Sequence, residues 1–552
     1  MSTTEIPHER TEEEPSRPPA DTEHGGKVST DQVILGTVAV IAVALVLWGS
    51  LGTESLGNVV GSALGYVVED FGWLFVVAAT GFVLFSFWLA FSRYGRIPLG
   101  KDGEKPEFRT ISWIAMMFSA GMGIGLMFFG VVEPLSHFVA PPPGTQDGDP
   151  AAIAMATTLF HWTLHPWAMY AVVGLAIACS TYRRGRRQLI SSAFTPLIGE
   201  RRANSGGGRA IDILALFATL FGSAASLGLG ALQIGAGLNV TGGIEAGTVV
   251  QVLIIVVLTI AFVASAVSGV AKGIQWLANT NMVLAIVLAL FVFVVGPTVL
   301  ILNLIPTAVG SYITELSSMS ARTAASADPE TATWLAGWTI FYWAWWVSWT
   351  PFVGMFIARI SRGRTIRQFV VGVIAIPSTV SLVWFAIFGG AAIDEQSNGV
   401  DIAGEGSTEA QLFGLLDQFP LAAIASVLVI VLVAIFFVSG ADAASMVMGT
   451  LSQRGTQHPT RTIVIFWGVL MGAVAAVMLL LGGTEALSGL QTLTILAAFP
   501  FALVMVALCV SLAKDLRSDP MMQEPQEGVM QRARGAVVDT ERARERGRGE
   551  TR

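Results

Sequence analysis

Aromatic side chains are concentrated in two apolar segments of this 552-residue chain. One segment reads FYWAWWVSWTPFVGMF, and the other, HWTLHPWAMY, contains Trp162, Trp167 and Tyr170. Membrane tryptophans normally gather at the bilayer interfaces, but those of the first segment continue through two helical turns or more. Converging aromatic faces attract a quaternary ammonium group through the ring quadrupole, and a desolvated contact is worth about 2 kcal/mol. The sequence therefore predicts an aromatic box for such a cation, with no carboxylate beside it.

Three glycines at alternate positions, Gly121, Gly123 and Gly125, interrupt a third apolar segment, SAGMGIGLMFFGVVEP. Each weakens a helix by roughly 1 kcal/mol relative to alanine and lets a ligand approach the backbone. Pro351 interrupts the tryptophan-rich segment in a similar way, because proline removes a helix hydrogen bond and bends the chain. Paired interruptions of this kind indicate a transporter binding site. The alternative for the glycines is close helix packing.

Other residues capable of chemistry are expected to have structural roles. His161 and His165 have a metal-ligand spacing, but we expect helix packing, since the sequence offers no third ligand. Glu133 ends its apolar segment, and we expect an interfacial carboxylate there. Cys179 and Cys509 lie in separate apolar segments and predict neither a disulfide framework nor a metal cluster. The prediction is therefore that the chain is not an enzyme.

The elements that position these residues are membrane helices. The chain is 53% hydrophobic and 13% charged, whereas soluble proteins carry about 25% charged residues. This composition excludes a soluble enzyme, a nucleic-acid binder and a disordered scaffold. Because a span needs about 20 apolar residues, we predict twelve spans between two polar tails, 1–32 and 513–552. These spans are 33–53, 73–92, 110–132, 156–180, 210–236, 248–269, 281–303, 333–358, 367–390, 419–450, 463–483 and 489–512.

The loops between the spans differ sharply in charge. Alternate loops carry clusters of Lys and Arg, as in 93–109, 183–209 and 359–367, whereas the opposite loops contain Arg322 as their one basic residue. This asymmetry follows the positive-inside rule. It predicts a multi-pass protein of the plasma (inner) membrane with both termini in the cytoplasm. A short polar stretch, 308–320, is predicted to be an interfacial helix.

Four stretches in chain order resemble the betaine/choline/carnitine transporter family: GMGIGLMFFGVVEP, FHWTLHPWAMY, FYWAWWVSWTPFVGMFIARISRGRTIRQF and FFVSGADAASMVMGTLSQ. The resemblance implies an all-α membrane protein with the leucine-transporter-type inverted repeat. Spans 3–7 and 8–12 form the two five-helix repeats, preceded by two extra helices, and the protein is usually a homotrimer. It also implies an aromatic box of Trp162, Trp167, Tyr170 and Trp346. Trp345 and Trp349 match aromatic positions on the cytoplasmic exit side.

The resemblance further implies sodium as the coupling ion, with no other cofactor. One site would use the backbone of Ser119, Met122 and Phe436 with the Ser439 hydroxyl, although Gly440 stands where a second hydroxyl is usual. A second site would use Thr219, Ser223 and Phe352. For any single membrane Ser or Thr, a hydrogen bond to its own helix is the alternative.

The resemblance implies uptake of a compatible solute, which protects cells against osmotic stress. Choline carriers that resemble this pattern tend to have an aspartate at the position of Gly125, so the glycine favours a zwitterion such as glycine betaine. Choline, carnitine, ectoine or proline, carried with protons or without sodium, remain the alternatives. The basic C-terminal tail is predicted to be solvated or to meet anionic lipid.

Overall fold

The fold is described by a computed structural model covering residues 29–523, except 122, 146, 246, 269–270, 327–328, 405–406 and 483–485. The predicted tails lie mostly outside these described residues. Within them, regular structure is helical apart from an isolated bridge between Pro98 and Thr365. The helices of the first half are α1 Gln32–Leu51, α2 Thr53–Phe91, α3 Thr110–Gly121, α4 Ile124–Val139, α5 Pro150–Trp162, α6 Leu164–Ala178, α7 Thr195–Ile198, α8 Glu200–Ala203, α9 Gly206–Gly242 and α10 Thr248–Ser268.

The second half of the chain continues the same pattern of long helices joined by short connections. Its helices are α11 Ala271–Val295, α12 Thr298–Ala321, α13 Pro329–Leu335, α14 Phe341–Ile360, α15 Ile366–Ser397, α16 Gln411–Asp417, α17 Ala422–Ser452, α18 Arg461–Gly482 and α19 Ala486–Arg517.

Ten described helical segments are long and apolar enough to cross a membrane, which makes this an all-helical, multi-pass membrane protein. They include α12, which the sequence predicts to be a shorter interfacial helix. Three predicted spans fall short of this criterion, since the third is split, the seventh qualifies only as a shorter apolar helix and the eighth is rich in tryptophan. The number of twelve spans therefore stays a prediction.

The third and fourth predicted spans are each divided into two helices. The break between α3 and α4 falls at the glycines, where Gly123 is fully extended with φ −172° and ψ −177°. The break between α5 and α6 falls at Thr163. Pro166, three residues later, lacks the N–H that would bond to the Trp162 carbonyl, and its ring clashes with that carbonyl. The sequence predicts the first break at the glycines, whereas the second lies within a predicted span, 156–180, for which no break position is predicted.

The eighth predicted span behaves differently from the expectation at Pro351. Helix α14 continues through this proline, and the irregular turn lies earlier, as a π-helix over Ala336–Ile340. The Val347 carbonyl, which Pro351 leaves without its usual N–H partner, accepts a hydrogen bond from the Thr350 hydroxyl at 2.7 Å. A neighbouring side chain thus satisfies the freed carbonyl, as is common in membrane helices.

Segments predicted to lie in the cytoplasm meet on one face of the molecule. Arg183 forms ion pairs with Asp102 and Asp519, which joins the loops after α2 and α6 to the end of α19. Asp31 pairs with Arg209 at 3.0 Å, and its backbone N–H donates to the Ser452 carbonyl. The structure thus groups the basic loops in the way that their charge predicts.

The core lies where the two broken spans meet the tryptophan-rich helix. Helix α14 packs along α6 and also against α9 and α19, while α4 packs between α5 and α15. Trp343, Trp345 and Tyr342 are among the largest fully buried side chains. The aromatic residues of α14 are therefore interior, and they face both α4 and α5–α6.

Candidate substrate site

A cavity opens beside the break between α3 and α4. Eight of the nine residues predicted to bind substrate line it: Gly123, Gly125, Trp162, Trp167, Tyr170, Trp345, Trp346 and Trp349. Leu126, Pro166 and Ser381 complete its lining. The ninth predicted residue, Gly121, ends α3, and its surroundings lie outside the described residues. The structure thus brings together aromatic residues separated by almost 190 positions of sequence and a segment of exposed helix backbone.

The rings of the box meet largely edge to face. The ring centroids of Trp162 and Trp346 are 4.9 Å apart at an interplanar angle of 76°. Tyr170 lies 6.3 Å from Trp346 at 79°, and Trp167 lies 5.2 Å from Tyr170 at 73°. Trp345 instead stacks on Trp346 at 14°. Several negative ring faces therefore border one small space, which is the arrangement that favours a cation without hydrogen-bond donors.

Three tryptophan N–H groups hold the box in place. The Trp346 Nε1–H donates to the His161 carbonyl at 2.9 Å, and that of Trp349 donates to the Gly222 carbonyl at 2.9 Å. The Trp162 Nε1–H donates to Oε2 of Glu133 at 2.6 Å. Because each bond crosses between helices, the ring orientations depend on how α4, α5, α9 and α14 pack together.

Glu133 is the main departure from the sequence interpretation. It is fully buried inside the protein, at 0% exposure, and does not lie at the protein surface. Its carboxylate lies directly behind Trp162, so the expectation of no carboxylate beside the aromatic rings is wrong. The signal that identifies such a residue is a charge within an apolar span, since intramembrane carboxylates are costly and commonly functional.

Glu133 also connects the histidines to the site. Its Oε1 lies 2.6 Å from Nδ1 of His161 and 3.5 Å from Nε2 of His137. These three residues have the ligand types of a metal site, but two tetrahedral zinc ligands lie about 3.4 Å apart. The shorter His161–Glu133 distance is that of a direct hydrogen bond. His161 therefore supports the site through Glu133, and the expectation that no Glu or other third ligand type accompanies it is wrong.

The backbone at the start of α4 is held by side chains that the sequence does not reveal. The Trp384 Nε1–H donates to the Leu126 carbonyl at 2.8 Å, and the Gln233 side-chain amide donates to the Met127 carbonyl at 3.0 Å. In contrast, among the described side chains none caps the N–H groups at the N-terminus of α4, where Gly123 is the cap residue. This helix end, with its partial positive charge, borders the cavity at Gly123 and Gly125.

Gly125 is in tight contact with the box. A Cβ atom at this position would lie 2.8 Å from Trp345 and 2.9 Å from Trp162. Both contacts are with ends of buried indole rings, and neither ring moves aside freely. At Gly123, by comparison, a Cβ would meet nothing within 4 Å. Glycine at position 125 therefore has a steric reason, separate from any choice between a zwitterion and a cation.

The first predicted sodium set is only partly described. Met122 and the side chain of Ser119 lie outside the described residues. Phe436 and Ser439 are on α17, where the Ser439 hydroxyl donates to the Ile435 carbonyl at 2.8 Å within its own helix. This bond is the alternative expected for a membrane serine, and this sodium site stays a prediction.

The second predicted sodium set lies at the contact between α9 and α14. Thr219 and Ser223 are buried on α9, and Phe352 on α14 packs against Trp349 at 5.8 Å. Trp349 in turn donates to the Gly222 carbonyl, one residue before Ser223. The Thr219 hydroxyl donates to the Ala215 carbonyl at 2.8 Å. The structure brings the two helices together at this position, while ion binding stays a prediction.

Comparison with known proteins decides the family. Residues 33–521 match the betaine/carnitine/choline family of transporters. The chain belongs to this family. It is therefore a membrane transporter and not an enzyme, and the resemblance inferred from the sequence is confirmed.

Relatives within the betaine/carnitine/choline family are close. The chain is 47% identical to the betaine/ectoine transporter LcoP of Corynebacterium glutamicum over 90% of this chain and 79% of that protein. It is 47% identical to the glycine betaine transporter OpuD of Bacillus subtilis over 87% of this chain and 94% of OpuD. Glycine betaine transporter 1 of Vibrio parahaemolyticus is 40% identical over 82% of this chain and 87% of its own length.

Proposed function

We propose that this transporter imports glycine betaine by sodium symport and thereby protects the cell against osmotic stress. The observation that carries the substrate proposal is the cavity formed by Trp162, Trp167, Tyr170 and Trp346 beside the uncapped N-terminus of α4. The names of relatives such as OpuD and LcoP support the same class of substrate.

The two ends of glycine betaine match the two sides of this cavity. Its trimethylammonium group cannot donate hydrogen bonds, and it is attracted to the aromatic faces. Its carboxylate is suited to the N–H groups at the start of α4, because helix N-termini favour anions. Discontinuous helices of transporters present their ends to charged substrate groups in this manner. A zwitterion would therefore lie between the box and the backbone at Gly123.

The proposal of sodium coupling rests on the hydroxyl pair of the second predicted sodium site, Thr219 and Ser223. Thr219 and Ser223 are one turn apart on α9 and thus face the same direction. Sodium favours oxygen ligands, and the Thr219 hydroxyl keeps an acceptor lone pair when it donates to Ala215. The first set, with Gly440 replacing a hydroxyl, would rely more on backbone carbonyls.

The proposal extends to the arrangement of the transporter in the membrane. The twelve spans would form an inverted repeat of spans 3–7 and 8–12, in a homotrimer of the plasma membrane with both termini in the cytoplasm. The support is the grouping of basic loops on one face, exemplified by Arg183 with Asp102 and Asp31 with Arg209. The basic tail would lie at the lipid surface.

Uptake of radiolabelled glycine betaine into proteoliposomes tests the function. Uptake should require an inward sodium gradient and persist when a proton gradient is collapsed. Thr219→Val should weaken sodium dependence because it removes a hydroxyl at nearly constant volume. Thr241→Val is the matched control, since its hydroxyl also donates to a carbonyl of its own helix, that of Gly237, far along α9 from the proposed set. Proton-driven uptake in sodium-free buffer would contradict the proposed coupling.

Ectoine is the second candidate substrate, because LcoP carries both betaine and ectoine in its name. Ectoine is also a zwitterion, but its cation is delocalised over a ring and carries N–H donors. Competition of unlabelled ectoine, choline, carnitine and proline with labelled glycine betaine ranks these alternatives. Stronger competition by choline than by any zwitterion would favour a cation carrier.

A further inference from the structure

The Glu133 carboxylate is contacted by three side chains from two helices, α5 and α14. Trp162 Nε1–H and the Tyr342 hydroxyl both donate to Oε2, and His161 Nδ1 lies 2.6 Å from Oε1. An ionised carboxylate only accepts hydrogen bonds, so three donors suit it. With Nδ1 donating, His161 Nε2 accepts from the Thr339 hydroxyl at 3.0 Å. Polar atoms of Trp162, Tyr342 and His161 thus converge on one buried carboxylate.

The contact with Trp162 connects this charge to the cavity. Glu133 itself does not line the cavity, whereas Trp162 does. A hydrogen bond from an indole N–H to a charged acceptor is stronger than one to a neutral acceptor, and hydrogen-bonded groups polarise one another. The negative charge of the Glu133 carboxylate, which lies beside Nε1 of Trp162, increases the electron density of the indole ring. A denser ring face attracts a cation more strongly.

We propose that Glu133 is a positioning residue for substrate recognition: it fixes the Trp162 ring and polarises it toward the substrate ammonium. This inference rests on the proposed transport of a quaternary ammonium substrate. It explains how a box without a carboxylate in its lining benefits from a negative charge. Because the charge of Glu133 acts through the Trp162 ring, the carboxylate need not give up its own hydrogen-bond donors when the substrate binds.

A purely structural role for Glu133 makes different predictions. If the carboxylate only joined α4, α5 and α14, any loss of its bonds would lower stability without a specific effect on affinity. The two interpretations differ in how the affinity depends on Trp162. They also differ for Tyr342, whose hydroxyl contacts Glu133 without Trp162 as an intermediary.

Equilibrium binding of radiolabelled glycine betaine to the purified full-length protein tests the proposal. Glu133→Gln keeps an acceptor of the same size but removes the charge. We expect its Kd to rise about fivefold, the difference between a charged and a neutral hydrogen-bond acceptor. In a Trp162→Phe background, the same substitution should have little further effect, because the N–H is absent. Tyr342→Phe should not raise the Kd.

Asp212→Asn is the matched control. Asp212 is also a buried carboxylate, but it accepts from the backbone N–H and hydroxyl of Ser191, away from the cavity. This control should alter thermal stability without altering the Kd. Glu133→Asp provides a second test if Glu133→Gln folds poorly. It keeps the charge but withdraws it from Nε1 by one methylene, so its Kd should also rise.

The outcomes separate the two proposals. Unchanged affinity in both Glu133 variants, or an equal effect of Glu133→Gln with and without the Trp162 indole, overturns the role of Glu133 alone. A wild-type protein that binds no glycine betaine overturns the proposed substrate, and this inference with it. A fivefold effect confined to proteins that contain Trp162 supports the inference.

Discussion

At the scale of single residues, Gly125 decides how closely α4 approaches the box. Its absent side chain leaves room for two indole rings that a Cβ would meet at 2.8 and 2.9 Å. The sequence interpretation treats the glycine as a sign of a zwitterionic substrate, with Gly125→Asp raising choline uptake relative to betaine uptake. The geometry favours the steric alternative, because rigid buried rings leave an added side chain no space.

The first prediction therefore concerns Gly125→Ala and Gly125→Asp. Both variants should lose uptake of glycine betaine and of choline together, since the rings at Trp162 and Trp345 must shift in either case. Initial rates of both substrates, corrected for the amount of protein in the membrane, are the measurement. Gly81→Ala on α2 is the control, because its Cβ would also contact nothing within 4 Å and it does not line the cavity. A selective gain of choline uptake in Gly125→Asp would restore the interpretation based on charge.

The second prediction concerns Trp346, the ring shared by most contacts of the box. Trp346→Ala should weaken substrate binding by about 2 kcal/mol, the scale of one desolvated cation–π contact. Trp346→Phe should lose less, although it also removes the N–H that donates to the His161 carbonyl. Apparent affinities from competition uptake are the measurement. An unchanged affinity in Trp346→Ala would exclude this residue from the site.

The sequence predicts the residues of the box better than the atoms that hold it. Tryptophans repeated inside an apolar span are a visible pattern, and Trp162 and Trp346 do line one cavity. The partners of their N–H groups, Glu133 and the His161 carbonyl, depend on the packing of separate helices. A single charge near the end of a span has two interpretations, and its burial decides between them.

At the scale of helices, the interruptions follow from glycine and proline in different ways. Three alternating glycines predict the break between α3 and α4, because each weakens the helix locally. Pro166 follows a break at a position that the sequence does not predict, whereas Pro351 does not end α14. At Pro351 a neighbouring hydroxyl satisfies the freed carbonyl. The residue type alone does not specify this outcome.

The third prediction tests this compensation. Thr350→Val should leave the buried Val347 carbonyl without a donor and lower stability by about 1–3 kcal/mol. Thr379→Val is the control, because its hydroxyl donates to a carbonyl that a helical N–H also satisfies. Thermal unfolding of both variants in the same detergent is the measurement. Equal stability of the two variants would contradict the assigned role of Thr350.

At the scale of the whole molecule, ion pairs join the face that carries the basic loops. Arg183 binds Asp519 through two hydrogen bonds of 2.8 and 2.9 Å, and Arg186 binds Asp515 through bonds of 2.8 and 3.1 Å. Charge asymmetry predicts which loops share this face, but it does not predict which charges pair. Pairing depends on where α6 and α19 end relative to each other. Helix α19 extends to Arg517, beyond its predicted end.

The fourth prediction concerns Asp519. Burial raises the pKa of this carboxyl, but hydrogen bonds from Arg183 and the Met521 N–H, together with the charges of Arg183 and Arg184, lower it overall below 3.8. A lowered folded-state pKa stabilises the protein above the ordinary pKa, and this contribution is lost as the pH falls through the folded value. Asp519→Asn should therefore lower stability at neutral pH and reduce its loss on acidification.

Thermal unfolding between neutral and acidic pH is the measurement for Asp519→Asn. Asp102→Asn is the control, since this partner of Arg183 is largely exposed, at 67%, and surface pairs contribute little. Identical acid sensitivity of wild type and Asp519→Asn would show that this carboxylate is not coupled to folding.

The two bidentate arginine pairs would also affect the rate of any step of transport that moves the chain after α6 against the end of α19. Any sliding of the chain after α6 against the end of α19 must break the Arg183–Asp519 and Arg186–Asp515 bonds before new ones form. Bonds that are intact in the resting state and broken at the top of a barrier slow a step without changing how tightly substrate binds. Turnover would then respond to these four residues, which lie on a different helix end from the aromatic box, while affinity would respond to the box. In that case the rate of transport and its selectivity would depend on separate parts of one chain.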